Sequence, residues 1–147
     1  MTHKTKISAD VEHCDQAPRR AMVAFGGHAE YKSLRLLRPG FRHCFAVIES
    51  QGNWVMYNPL SIGTQLDIWP AGSEETLCLW LEEHDYKVIM AEVKPLDLAP
   101  LPWSIFSCVE AVKRVLGVRA PWIMTPWQLY KSLTKNDGKK SLTFASY

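Results

Sequence analysis

The sequence predicts an α+β domain, a small antiparallel sheet packed against helices. Three observations carry this expectation. Short β-branched and aromatic runs flank the turn signals Pro39-Gly40 and Ser50-Gln51-Gly52-Asn53, as in hairpins. The carboxyl third repeats apolar residues at helical spacing, with Phe106, Val109, Val112 and Val115/Leu116 before Gly117,. Helix-start signals stand at Ser73, Ser107 and Thr125,.

Taken in order, residues 1–30 read as a flexible polar leader ending in Phe25-Gly26-Gly27-His28, because no periodic apolar pattern precedes that stretch,. The domain proper is expected over residues 31–135. His43 to Glu49 reads as a strand, and Trp54 to Asn58 as its return, stopped by Pro59, which has no N–H for a ladder,. Thr64 to Trp69 alternates Leu66 and Ile68 with polar Gln65 and Asp67, a third strand. Glu74 and Glu75 occupy the first turn of a short helix, where the dipole favours acids,. Its stripe is Leu77, Trp80 and Leu81, and His84 suits its carbonyl end,. Tyr86 to Val93 is a further strand, and the prolines at 95, 100 and 102 make an extended connector,. Thr125-Pro126-Trp127-Gln128 opens the last helix as a capping box with proline at the first helical position,. Residues 136–147 read as a polar tail.

Composition narrows the function. The 147 residues suit one domain, and 47% hydrophobic with 22% charged residues is an ordinary globular balance,. Seventeen Lys and Arg against fifteen Asp and Glu leave +2, too little to point to nucleic acid or an anionic membrane,. Lys32, Arg35, Arg38 and Arg42 have the spacing of a basic helical stripe, but solvated surface charge is the usual meaning of such a pattern,. No apolar run reaches the roughly 18 residues of a membrane span. The amino terminus lacks a signal peptide's apolar core, so a cytoplasmic or virion-associated protein with reduced thiols is expected,. Cys44, Cys78, His84 and Cys108 have no zinc-ligand spacing, and neither metal nor cofactor is expected,.

The chemistry centres on Cys108. Ser107-Cys108-Val109-Glu110 fits the S-x-x-E box, with Ser107 as N-cap and Cys108 first in the helix; Ser104 is the alternative cap,. Unpaired N–H groups and the positive dipole end there favour a thiolate. A cysteine near a helix start is more often packing, so a partner decides. His43 opens a strand at a sheet rim, where an imidazole serves as general base. Asn58 or a residue close to it falls beside the imidazole on the returning strand, where an asparagine carbonyl would fix the tautomer. Cys44 follows His43 in the strand and so points to the opposite face, which excludes it as the thiol that His43 activates.

A histidine-led strand, a hairpin ending in Asn58 and a late Cys108 helix resemble the circularly permuted papain-like hydrolases, relatives of the NlpC/P60 peptidases and the lecithin:retinol acyltransferase-like group. Ser107 to Gly117, with the downstream Thr125-Pro126-Trp127-Gln128-Leu129-Tyr130, is similar to their cysteine helix and its Thr-Pro-x-x-Leu sequel. The resemblance spans roughly Gly40 to Leu133. It implies a permuted papain-like arrangement and a cysteine amidase or peptidase acting through a Cys108 thioester, with His43 as base and Asn58 as orienting residue. A peptide or other amide is the implied substrate. The chain departs from the family at the residue before the cysteine, where Ser107 replaces Asn or Asp. The Cys108 N–H is one natural oxyanion donor, with Ser107 or Ser104 as a second. Trp103, Trp122 and Trp127 are candidates for a substrate groove. A second reading is a catalytically silent copy of the fold serving as a binding or assembly module, as in a phage or bacterial particle.

Overall fold

The structure, a computed structural model, describes residues 19–28, 35–69, 72–95, 99 and 105–141, with side chains to residue 135. It is an α+β fold: a five-stranded, fully antiparallel sheet in the order β4-β3-β2-β1-β5, with three helices. The strands are β1 (Arg19–Gly26), β2 (His43–Ser50), β3 (Asn53–Leu60), β4 (Gly63–Trp69) and β5 (Lys87–Val93). The helices are α1 (Glu74–Glu83), α2 (Cys108–Leu116) and α3 (Pro126–Ser141).

Both ends of the expected domain move outward. The expected leader of residues 1–30 contains β1, which lies between β2 and β5 with Ala21 to Phe25 fully buried. At the other end, α3 carries residues 136–141 of the expected tail. Leader residues 1–18 and tail residues 142–147 lie outside the described residues.

The sheet is covered on both faces, which explains the composition of its central strands. On one face Ala21, Val23, Phe25, Cys44 and Ala46 pack with Val109, Val112 and Leu116 of α2 and Leu129 and Leu133 of α3. On the other, Met22, Ala24, Phe45, Val47 and Trp54 pack with Leu77 and Leu81 of α1. A strand buried on both sides needs apolar residues at every position, and Ala21-Met22-Val23-Ala24-Phe25 supplies them. On the face of α2 and α3 the edge strand β4 lies beyond this cover: Leu66 and Ile68 remain 63% and 71% exposed. Their expected alternation is present, but no helix packs against it.

The helix ends obey the sequence grammar. Ser73 caps α1 by accepting from the Thr76 N–H, and His84 closes it, its Nδ1 2.7 Å from the Trp80 carbonyl. The box at α3 is complete, with Thr125 Oγ1 accepting from the Gln128 N–H and Gln128 Oε1 accepting from the Thr125 N–H. Gly117 ends α2 at φ +67°, a conformation that costs other residues roughly 1 kcal/mol or more.

Gly26 is required for a different reason. It pairs with His43 at the end of β1, and the Tyr86 ring lies against it. A Cβ there would sit 2.7 Å from Tyr86 Cε1 and 2.9 Å from Cδ1. Tyr86 is itself held edge-on against Phe45 at 5.1 Å. Gly26→Ala should therefore lower stability by about 1–3 kcal/mol, the range for overpacking. A lower urea midpoint at unchanged slope would show it; an unaltered midpoint would mean the Tyr86 ring moves freely.

Candidate active site

Cys108 occupies the first position of α2. Ser107 is the N-cap, extended at φ −143°, ψ 169°, and its Oγ accepts from the Glu110 N–H at 3.2 Å. The Cys108 N–H has no intrahelical carbonyl to meet, so a donor and the positive dipole end lie at the sulfur's own residue. Glu110 adds a carboxylate to the same turn, but its two oxygens are held by Lys113 at 2.8 Å and Arg114 at 2.9 Å. Glu110 and Lys113 are only 8% and 4% exposed, and Lys113 also donates to the Ala120 carbonyl at 2.9 Å. The negative charge nearest the thiol on its own helix is thus neutralised in place.

Around the half-buried sulfur the first two residues of β2 converge. The Cys108 thiol is drawn down to about 4, chiefly by a hydrogen bond from the Cys44 thiol. Burial opposes this shift, while a hydrogen bond from His43, the His43 charge and the Cys44 backbone N–H add to it. Cys44 behaves in the opposite way. Burial, then the neighbouring Cys108 sulfur, push its thiol well above the ordinary range, so it stays protonated and donates. Strand alternation keeps Cys44 in the core beneath α2. Its hydrogen bond to Cys108 is a feature the sequence reading missed.

His43 is held from its other side. Its Nε2 lies 2.7 Å from Asn58 Oδ1. Register explains the meeting: Ala46 pairs with Tyr57, so Asn58 stands one step further along β3, diagonally across from His43 and on the same face. An amide oxygen only accepts, so Nε2 carries the proton and Nδ1 remains for the cysteine. Asn58 Nδ2 in turn donates to Gln65 Oε1 at 3.2 Å, and Gln65 Nε2 to Asp67 Oδ2 at 2.6 Å. Gln65 pairs directly with Asn58, and Asp67 lies two residues on, on the same face of β4,. Neither was singled out from sequence, although their alternation with Leu66 and Ile68 was the available signal.

The structure thus brings Cys108, His43 and Asn58 together from α2, β2 and β3. The remaining candidates separate. The Ser107 hydroxyl oxygen is turned into its helix as the cap, and Ser104 and Trp103 lie outside the described residues. Trp122 is exposed and borders a cleft with Gln128 and Lys131. Trp127 is taken up by packing, between Phe41 at 4.7 Å, Tyr130 at 5.5 Å and the Arg38 guanidinium at 3.7 Å. A second cleft of about 220 Å³ opens beside the start of α2, bordered by Ile105, Ser107, Glu110, Ile123 and Met124. Cys78 lies in α1 and His84 caps its end, on the opposite face of the sheet from Cys44, so the four zinc candidates do not meet. The basic helical stripe is not formed over residues 35–42, where the described chain has no α-helix; Arg38 covers Trp127 and Arg42 reaches the Gly27 carbonyl at 3.4 Å. Lys32 lies outside the described residues.

Comparison with family models, with curated proteins and with solved structures finds no match to this chain. Among the described residues no helix is long and apolar enough to cross a membrane.

Proposed function

We propose that this protein is a cysteine hydrolase of the amidase or peptidase type, with Cys108 as nucleophile, His43 as general base and acid, and Asn58 as the residue that orients His43. The permuted papain-like arrangement belongs to the same proposal. The observation that carries it is the continuous hydrogen-bonded series from the Cys108 sulfur through the His43 ring to Asn58 Oδ1. That order of nucleophile, base and orienting acceptor is the one acyl transfer requires.

In this reading the Cys108 thiolate attacks the carbonyl carbon of an amide. The carbonyl π pair moves to oxygen, and the Cys108 N–H at the helix start is placed to receive that oxyanion. The His43 imidazolium gives its Nδ1 proton to the departing amine as the C–N bond breaks, leaving a thioester on Cys108. Neutral His43 then takes a proton from water, the hydroxide adds to the thioester carbonyl, and the C–S bond breaks. A carboxylic acid leaves, and the thiolate–imidazolium pair is restored.

The test uses p-nitrophenyl acetate as an acyl probe. Wild type should release nitrophenolate in a burst of about one equivalent and carry one acetyl group on Cys108. Cys108→Ala should show no burst, and His43→Ala should acylate about 10²–10⁴-fold more slowly, the usual worth of a positioned base. Acetylation that is spread over lysines and unchanged in Cys108→Ala would overturn the enzyme reading and leave a binding module.

A further inference from the structure

We infer that Gln65 and Asp67 are positioning residues for His43: an acceptor-only carboxylate at the far end of a relay of three hydrogen bonds dictates which imidazole nitrogen carries the proton and which presents its lone pair to Cys108. This deepens the hydrolase reading, since it rests on His43 acting as the base.

The relay runs Asp67, Gln65, Asn58, His43 at 2.6, 3.2 and 2.7 Å. Its two amides and its imidazole each have two orientations or tautomers that heavy-atom positions leave equivalent. The ionised carboxylate has one role only, to accept. Gln65 must therefore turn its NH2 to Asp67 and its oxygen to Asn58. Asn58 must turn its NH2 to Gln65 and its oxygen to His43. The proton then belongs on Nε2, and the lone pair of neutral His43 belongs on Nδ1, toward the thiol. Reversing Asn58, by itself or in step with a reversed Gln65, would set NH2 against Nε2 and move the ring proton to Nδ1, where it blocks proton transfer from Cys108. Gln65 and Asp67 are exposed, so water screens their direct electrostatic effect on the site. Their influence passes through hydrogen-bond direction.

The side chains are set up for this by the sheet alone. Antiparallel pairing puts Gln65 opposite Asn58, and the strand period of two returns Asp67 to the same face. Leu66 between them points to the other face, so no core residue competes for the position.

The experiment reads the ring itself. Full-length Cys108→Ala, in which His43 has no thiolate to hold it charged, is studied by long-range ¹H–¹⁵N correlation at about pH 8.5, above the ordinary imidazole range. The Nε2–H tautomer should dominate. Adding Asp67→Ala should lower the Nε2–H to Nδ1–H ratio about tenfold, the worth of one directed hydrogen bond. Combining Gln65→Glu with Asp67→Asn moves the acceptor-only carboxylate next to Asn58 and should restore the ratio, which a merely structural role would not predict. An unchanged ratio in Asp67→Ala, or no restoration in the exchanged pair, overturns the proposal. The outcome is separable from that of the hydrolase reading: a ratio that responds, in a protein whose Cys108 forms no acyl intermediate, upholds the relay and rejects the enzyme.

Discussion

Iodoacetamide should alkylate Cys108 at a nearly constant rate from about pH 5 to about pH 8, while an ordinary thiol slows about tenfold for each unit of acidification. The sign follows from a thiol drawn down to about 4: above about pH 5 the group is already thiolate, and raising the pH adds no more nucleophile. An ordinary thiol ionising near 8.5 is only about 3% thiolate at pH 7 and about 0.03% at pH 5. The weaker basicity of Cys108 works against it, because nucleophilicity falls with a Brønsted slope near 0.4–0.5, roughly a hundredfold over this difference. The two effects nearly cancel at pH 7, where the absolute rate says little. At pH 5 ionisation wins, and Cys108 should lead by about 30-fold. Cys78 is an internal control, since partial burial and Glu82 raise its thiol. His43→Ala should bring back a rising profile and slow labelling at pH 5 at least about tenfold, through loss of the imidazolium charge and its hydrogen bond. A tenfold rise per pH unit at Cys108 of the wild type would remove the thiolate from the mechanism.

How much of this was legible in the sequence depends on how local each signal is. The cap at Ser107, the box at Thr125 and Gln128 and the stop at Gly117 are written within four or five residues, and the helices start and end there. Asn58 was reachable because a short turn at Gln51 and Gly52 fixes the register of its hairpin,. Residues 21–25 failed for a physical reason: a strand covered on both faces is apolar at each position and shows no period of two,. Such a run, preceded by polar residues and followed by Gly26-Gly27, reads as part of a leader. Gln65 and Asp67 were visible only as the polar half of an alternating strand. Their meaning appears when β4 is laid against β3, a pairing that sets Gln65 beside Asn58. Cys44 shows a subtler limit. Alternation correctly sends Cys44 and His43 to opposite faces, but it does not prevent two strand neighbours from sharing a third partner at the strand's end. Cys108 is that partner.

Cys44→Ala should raise the titration midpoint of Cys108, followed by thiolate absorbance, by about one to two units, the worth of one hydrogen bond to a charged acceptor. The substitution removes the S–H donor but keeps the Cys44 backbone N–H and the His43 ring, the other groups that favour the thiolate. It also empties volume beneath α2, where Cys44 is fully buried beside Ala46 and Val112. A stability loss of about 1–2 kcal/mol should follow, toward the low end of core truncations because only one atom is lost. Cys44→Ser separates the two effects, since a hydroxyl is a better donor than a thiol and nearly the same size. It should keep the midpoint low even where burial of the polar group lowers stability. A midpoint that stays near 4 in folded Cys44→Ala would reduce Cys44 to packing and leave the His43 charge as the main stabiliser of the thiolate. A midpoint that climbs in alanine and returns in serine would make the buried thiol part of the site. Division of labour between the two sulfurs then follows from their surroundings: burial keeps the proton on Cys44, while the hydrogen bonds and charge supplied by Cys44 and His43 let the sulfur at the helix start give its proton up.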